Sequence, residues 1–354
     1  MKRLIYNQAL ALLYLLLWFE PSAEQANCAE LAAKINDKLK LGNADSESEQ
    51  LLNELIQKCP KATEGHYNLA LIKLNQGNFS EALSIAKRGL DLGKNEKLNL
   101  VFLLAAMRMN NKDEFQTVYS LASKSTKEAL LDQARSVEEA HFLTSFFDPS
   151  SACGYLRLAL RFNLNDFILK NYQYCNTSPL KEFYSTLADK LGKRQLSVDG
   201  LKNLSVVDLT VFTNLELARY LEILVELSAF DHAELIFRRL SKLEPSSELM
   251  CLGSYIMANQ KKVNESRQFY QSGCASKVCF DLCARSAFLN DDLQDARVFL
   301  EKALELDKSD AKLTNFLGVV HRALGNKKES KELFKRALEL DPNLEEARFN
   351  LNLG

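Results

Sequence analysis

The chain has 354 residues, of which 47% are hydrophobic, and it contains only 13 glycines and 6 prolines. This composition provides for a large core and favours an all-α protein. Lys and Arg number 45 against 46 Asp and Glu, which gives a formal net charge of −1. Proteins that bind nucleic acid usually present a basic face, so the charge balance argues against nucleic acid as a partner.

The N-terminus combines two basic residues with a short apolar segment. Lys2 and Arg3 precede residues 4–19, which are uncharged and mainly apolar, and small residues follow. This order is typical of a secretory signal peptide, and cleavage after Ala23 or Ala26 fits it. We therefore predict that residues 1–23 are a signal peptide and that the protein is periplasmic or secreted. The alternative is an uncleaved anchor that associates with the membrane, although the segment is short for a span of about 20 residues.

Eight cysteines follow this segment. An even number behind a signal peptide favours disulfide bonds. Three candidate pairs would each bracket one helical hairpin: Cys28 with Cys59, Cys153 with Cys175, and Cys251 with Cys274. Each bridge would add roughly 2–4 kcal/mol to the stability.

The pairing near the C-terminal end remains open, because two more cysteines lie there. Cys279 and Cys283 are four residues apart on one predicted helix, where a bridge between them has poor geometry. Cys274 could pair with either one, and Cys251 with the other. Eight reduced thiols in a cytosolic protein are a further alternative. We predict no metal, because no CxxC pair and no nearby histidine accompany these thiols.

Residues 97–213 show a weaker pattern than the two ends. The pattern predicts a helix pair at 98–109 and 114–122, one longer helix over 127–147, a hairpin at 153–162 and 166–174, a helix starting at Ser178-Pro179, and a polar loop over 192–205. We interpret this zone as degenerate helical repeats. A separate helical insertion is the alternative.

The clearest pattern lies at residues 311–344, where two amphipathic helices flank a glycine-containing turn. Gly318 and Ala337 are small at the point where two antiparallel helices would cross, and Phe334 would fill the remaining gap. Pro342 ends the second helix, because proline lacks the amide proton and clashes with the preceding turn.

This segment resembles a tetratricopeptide repeat, a helix–turn–helix unit of 34 residues. Leu317-Gly318, Phe334, Ala337 and Pro342 match the signature of the family, whereas Ser330 replaces its first alanine. One such unit cannot bury its apolar face alone, so neighbouring units are expected. The resemblance implies an all-α, right-handed helical solenoid of antiparallel helix pairs.

Further units can be placed in the same register on both sides of the middle zone. Small residues recur at 277–310, at 214–247 and at 63–96, and residues 248–276 form a shorter unit. The predicted domains are therefore N-terminal repeats at 27–96, degenerate helical repeats at 97–213, and C-terminal repeats at 214–354 that include a terminal capping helix.

In this family the first helices line the concave face of the solenoid. The resemblance therefore implies a groove on the stripe that faces away from the partner helix. The stripe contains Asp281, Arg285 and Phe288 in one unit, and Lys312, Asn315, Val319 and Arg322 in the next. Such a mixture of charged and apolar side chains suits a peptide or protein partner. Ordinary solvated helix positions are the alternative.

Motifs for catalysis do not occur in the sequence. It has no GxSxG, no glycine-rich phosphate loop and no HExxH, and its four histidines lie far apart. We therefore expect no catalytic residues and no cofactor, and we interpret the chain as an exported, non-catalytic scaffold. Two alternatives are a membrane-anchored assembly subunit and an enzyme or carbohydrate-processing factor built on a helical solenoid.

Overall fold

The computed structural model describes residues 23–40, 45–194 and 209–353. The segment that precedes Ala23, with the signal peptide predicted there, and most of the loop predicted over 192–205 lie outside the described residues. Within them the chain forms twenty α-helices and three short 3₁₀ turns, and no strand. The all-α prediction is confirmed. Across the described ranges, no helix combines the length and the apolar character that a membrane span needs.

The chain divides into two compact units, one ending at Phe167 and one beginning at Ile168. The helices of the first unit are α1 (Ala23–Lys40), α2 (Ser46–Lys58), α3 (Thr63–Asn75), α4 (Phe79–Leu92), α5 (Glu96–Arg108), α6 (Lys112–Tyr119), α7 (Lys124–Asp132), α8 (Val137–Thr144) and α9 (Ala152–Arg161). The division falls within α10 (Asn165–Asn171). The boundaries predicted at residues 96 and 213 stay predictions.

The helices of the second unit follow each other in antiparallel pairs. They are α11 (Leu180–Leu191), α12 (Asn214–Glu226), α13 (Phe230–Leu243), α14 (Ser247–Asn259), α15 (Val263–Gly273), α16 (Lys277–Leu289), α17 (Leu293–Leu306), α18 (Ala311–Ala323), α19 (Lys327–Leu340) and α20 (Glu345–Asn352). From α12 onward each helix packs against the next one along the chain. This arrangement is the helical solenoid expected from stacked helix–turn–helix units.

A close crossing of α18 and α19 explains why small residues recur in these pairs. A Cβ atom on Gly318 would lie 2.6 Å from Cε1 of Phe334, whose ring is only 1% exposed. Ala337 is also fully buried. The aromatic ring therefore occupies the space that the missing side chain leaves, as the sequence predicted.

The longer helix predicted over 127–147 is wrong, because the chain forms two helices there, α7 and α8. The Ser136 hydroxyl accepts a hydrogen bond from the amide of Glu139 at 3.2 Å and so caps the start of α8. A capping serine satisfies an amide that has no partner within its own helix, which allows a new helix to begin. Residues 133–136 contain no glycine or proline that would mark this break. The sequence pattern therefore predicts one continuous helix there.

One disulfide secures the N-terminal end of the first unit. Cys28 on α1 is bonded to Cys59, which directly follows α2, with a Cα–Cα distance of 6.0 Å. Ile35, Leu52 and Leu55 are buried between these helices and their neighbours. The hairpin predicted for Cys28 and Cys59 is therefore closed in the structure both by the covalent bond and by apolar contacts.

Candidate functional site

A cluster of charged and aromatic side chains lies on the first helices of two neighbouring units. We call Asp281, Arg285, Phe288 and Phe316 the groove cluster. Nε of Arg285 donates a hydrogen bond to Oδ1 of Asp281 at 2.9 Å, and both residues lie on α16. The Arg285 guanidinium lies 5.3 Å from the centroid of the Phe316 ring on α18. Phe288 meets that ring edge to face at a centroid distance of 5.5 Å. These contacts join three of the predicted contact residues, all of them on α16, to one aromatic ring on α18.

The groove cluster keeps its charged groups in contact with water. The side chain of Arg285 is 45% exposed and that of Asp281 is 29% exposed, whereas both phenylalanines are half-buried. An exposed ion pair at this helical spacing contributes only about 0.3–0.5 kcal/mol. The cluster therefore adds little to stability, but it fixes the position of the guanidinium beside an apolar surface.

Phe316 belongs to the groove cluster although the sequence analysis did not select it. It lies four residues after Lys312 and three before Val319, so the helical spacing places it on the same stripe. Phe316 also packs against the core of the second unit, as a phenylalanine on an amphipathic helix usually does. It is half-buried and also contacts Arg285, so it lies at the edge between the core and the exposed stripe.

The predicted contact residues on α18 divide into two kinds. Lys312 is exposed and Val319 is half-buried. Arg322, in contrast, donates from Nη1 to the backbone oxygen of Asn350 at 3.2 Å and from Nη2 to its Oδ1 at 3.0 Å. Nδ2 of Asn350 donates to Oδ1 of Asn315 at 3.1 Å. Arg322 and Asn315 thus hold α20 against α18, a role that the sequence pattern did not reveal.

A cavity of about 250 Å³ opens beside Arg322 at the end of the second unit. Its lining residues are Arg322, Lys327, Ser330, Lys331, Phe334, Asn350 and Leu353. Three of these side chains are cationic, so the cavity favours an anionic group.

Four of the cysteines in the second unit form two bridges that meet on α16. Cys251 on α14 is bonded to Cys279, and Cys274, directly after α15, is bonded to Cys283. The pairing of Cys251 with Cys274 is therefore wrong, and one of the alternative pairings is present. The physical reason is that Cys279 and Cys283 lie one helical turn apart on the same face of α16, where each meets a different preceding element.

The remaining cysteines also form disulfides. Cys153 and Cys175 are each disulfide-bonded, and no cysteine is free among the described residues, which include all eight. The alternative of eight reduced thiols does not describe this structure.

An ion-pair network connects the start of α16 to the start of α18. Nζ of Lys277 lies 2.7 Å from Oδ2 of Asp307 and 3.0 Å from Oδ2 of Asp310. The hydrogen bond from Lys277, together with hydrogen bonds from the hydroxyl and amide of Ser309, lowers the pKa of the Asp307 carboxyl to about 2. Asp310 also accepts a hydrogen bond from the amide of Leu313 at 3.0 Å and so caps α18. These contacts fix the spacing of the two helices that carry the groove cluster.

Comparison with protein families identifies one segment of this chain. Residues 311–344 match the model of the tetratricopeptide repeat. A segment of 105 residues is 35% identical to human protein O-mannosyl-transferase TMTC3, and the match covers 28% of this chain and 11% of that protein. The chain therefore spans about a ninth of the length of this relative.

Three solved structures resemble this chain at low identity. The hetero-tetramer Cut9-Hcn1 of the APC/C has a TM-score of 0.36 and 12% identity, with 93% of this chain and 81% of that chain covered. Human IFIT1, solved as a dimer with PPP-AAAA, has a TM-score of 0.37 and 18% identity, with 82% and 63% covered. A tetratricopeptide repeat protein from Parabacteroides merdae has a TM-score of 0.30 and 14% identity, with 92% and 98% covered. Values this low indicate neither a partner nor a function.

Proposed function

We propose that this chain, whose residues 311–344 match the tetratricopeptide repeat, is a non-catalytic scaffold that binds a peptide or protein segment along α16 and α18. Stacked helix pairs of this kind present extended surfaces to which partners bind. The proposed contact residues are the groove cluster together with Lys312 and Val319. Asn315 and Arg322 contribute by holding α20 beside them.

The position of Arg285 is the observation that carries this proposal. Among the described residues, its hydrogen bond to Asp281 uses Nε, which leaves the Nη groups for a partner. A carboxylate of the partner would meet those groups, and an apolar side chain next to it would pack on Phe288 and Phe316. The favoured partner is therefore an extended segment in which an acidic residue neighbours an apolar one.

We place this scaffold outside the cytoplasm, in the periplasm or in a secreted form. The disulfides support this location, since such bonds persist in oxidising compartments. The basic start and short apolar segment before Ala23 support it as well. The competing arrangement is a subunit anchored by an uncleaved N-terminus. N-terminal sequencing of the exported protein distinguishes the two, because an intact Met1 supports the anchor.

Site-specific photo-crosslinking combined with affinity capture tests the binding surface. A photo-reactive residue at position 288 or 312 should crosslink one partner, and the same residue at position 339, on α19, should not. Arg285→Glu should reduce recovery of that partner by roughly tenfold, the effect of losing about 1.4 kcal/mol. Arg336→Glu is the matched control, because Arg336 is 59% exposed and pairs with Glu339 on its own helix. Equal recovery by both variants would disprove the proposed surface.

The match to the O-mannosyl-transferase favours a second candidate function, that of a carbohydrate-processing factor. The test is to incubate the purified chain with a mannosyl donor and a serine- and threonine-containing acceptor protein. A mass increase of one hexose on the acceptor would favour this candidate over the non-catalytic scaffold, and an unchanged acceptor mass would count against it.

A further inference from the structure

The sulfur atoms of the four cysteines that are bonded at α16 form a tighter group than two separate bridges require. The Sγ atoms of Cys251, Cys274 and Cys283 all lie within 4.8 Å of one another, and the fourth sulfur, that of Cys279, is bonded to Cys251. Four sulfurs from three successive elements, α14, the end of α15 and α16, therefore converge on one place. Cys251, Cys279 and Cys283 are at most 1% exposed, and Cys274 is half-buried.

We propose that these four cysteines, when reduced, bind one zinc ion or a similar thiophilic divalent cation. This metal site goes beyond the scaffold function and does not depend on it. The two oxidation states would link the same three elements in different ways, by two disulfides when oxidised and by one metal ion when reduced.

Once both bridges are reduced, the four sulfurs lie close enough together to reach the spacing of a tetrahedral thiolate site. Zinc–sulfur bonds are about 2.3 Å long, so the sulfurs of a tetrahedral site lie roughly 3.8 Å apart. In the oxidised chain Cys274 is bonded to Cys283 and Cys251 to Cys279, so these two pairs lie closer than this spacing, and the sulfur of Cys251 lies within 4.8 Å of those of Cys274 and Cys283. Breaking both bonds lets the sulfurs of each pair move apart. Side-chain rotations of Cys279 and Cys283 on the rigid α16 can then complete the site without a change in the order of the helices.

The reduction step needs a reductant, and a dithiol is the chemical class that supplies it. Each disulfide accepts two electrons and two protons from one dithiol, which becomes a disulfide itself, so two dithiols convert both bridges into four thiols. Binding of the divalent cation then displaces the thiol protons into solvent, since thiolates are the ligands. No other co-reactant is required.

Cys279 is held in place at the start of α16. Cys279 lies in the first turn of α16, which Ser276 caps by accepting a hydrogen bond from the Cys279 amide at 3.3 Å. The cap fixes the start of the helix and so the position of Cys279 opposite Cys251.

Titration of the full, reduced chain with Co²⁺ tests the metal site. A thiol-free phosphine reduces the protein under anaerobic conditions, and circular dichroism follows its helix content. We expect one Co²⁺ per chain with the sulfur-to-metal charge-transfer band and the intense visible bands of tetrahedral thiolate coordination, and we expect Zn²⁺ to abolish these bands. Cys279→Ser/Cys283→Ser should lose them, whereas Cys28→Ser/Cys59→Ser, which keeps the cluster, should retain them.

Two results would overturn the metal site. The first is a reduced wild-type chain that shows only the weak bands of octahedral Co²⁺, or a Cys279→Ser/Cys283→Ser variant that binds like the wild type. The second result concerns a chain that loses its helix content on reduction alone. Binding of the metal must then restore it, and failure to restore it with either Co²⁺ or Zn²⁺ excludes the site.

Discussion

At the scale of single residues, the contact between Gly318 and Phe334 makes a prediction about packing. Gly318→Ala would place a methyl group 2.6 Å from the Phe334 ring, and the ring is too deeply buried to move freely. We expect a loss of about 1–3 kcal/mol, the usual cost of overpacking a core. Urea denaturation followed by circular dichroism measures it.

Gly93→Ala provides the control for this substitution. A Cβ atom on Gly93 would have nothing within 4 Å, so the free energy of unfolding should stay within about 0.5 kcal/mol of the wild type. Gly253→Ala should cost at least as much as Gly318→Ala, because its Cβ would lie 2.2 Å from the Phe237 ring. Equal stability of all three variants would contradict the close crossings.

His66 makes a second residue-scale prediction, which concerns pH. Burial lowers the pKa of His66 below its ordinary value of 6.5, a backbone hydrogen bond with Ala62 opposes this shift, and the charge of Arg88 adds to it. Below pH 6.5 the unfolded chain therefore binds a proton more readily than the folded chain does. The stabilisation is present above pH 6.5 and is lost as the pH falls through the lowered pKa.

The measurement for His66 is the urea midpoint at pH 7.5 and pH 5.5. His66→Gln should make the difference between the two midpoints smaller, because it removes the titrating ring. His141→Gln, at an exposed position, should leave the difference as in the wild type. An unchanged pH dependence in His66→Gln would contradict the role of burial.

The groove residues show how far a sequence pattern predicts a site. The helical stripe selected Asp281, Arg285 and Phe288, which do lie together, because a regular helix fixes which side chains share a face. The stripe could not show that Arg322 is hydrogen-bonded to Asn350, because that contact depends on how a third helix packs. Contacts between neighbouring units are tertiary information that the spacing along one helix does not contain.

At the scale of elements, Lys277 links three helices through two carboxylates, and this makes a prediction about the pKa of Asp307. Lys277→Ala should raise that pKa from about 2 towards its ordinary value of 3.8. The rise should remain incomplete, because the amide and hydroxyl of Ser309 still donate to Asp307. In the wild type the resulting stabilisation is present above pH 3.8 and is lost as the pH falls towards 2.

Carboxyl carbon NMR during an acid titration measures this pKa directly. Lys302→Ala is the control, since the Lys302 ammonium lies over the Phe280 ring, 5.8 Å from its centroid, rather than beside Asp307. A pKa of Asp307 that is the same in Lys277→Ala and in the wild type would show that the ion pair does not persist in solution.

Helix boundaries can be predicted from the sequence where the packing requires a regular repeat unit. They cannot be predicted where one capping side chain determines the residue at which a helix begins. The sequence predicts two helices around Gly325 within residues 311–344. In the structure α18 and α19 lie on either side of that glycine, whose φ is +84°. The break between α7 and α8 depends on the Ser136 hydroxyl. A serine caps a helix only where the surrounding chain can start one. The presence of a serine in the sequence therefore does not by itself predict a helix start.

At the scale of the whole molecule, a stack of helix pairs gains its stability from contacts between neighbours, so damage should remain local. Cys28→Ser/Cys59→Ser removes the bridge that closes a loop of 31 residues between α1 and the end of α2. The expected cost is about 2–4 kcal/mol, since the bridge restricts the unfolded chain. Hydrogen exchange read by mass spectrometry should show the largest loss of protection in α1 and α2, a smaller loss in α3, and wild-type protection in α16 to α19.

Lys58→Ala separates the covalent bond from the charge beside it. Lys58 precedes Cys59 and forms an exposed ion pair with Glu54 at 2.6 Å, a kind of contact that contributes at most about 1 kcal/mol. Its exchange pattern should therefore match that of the wild type. If the loss of the bridge instead lowered protection evenly from α1 to α19, stability would be shared along the whole chain, and the picture of units that each depend on their neighbours would have to be abandoned.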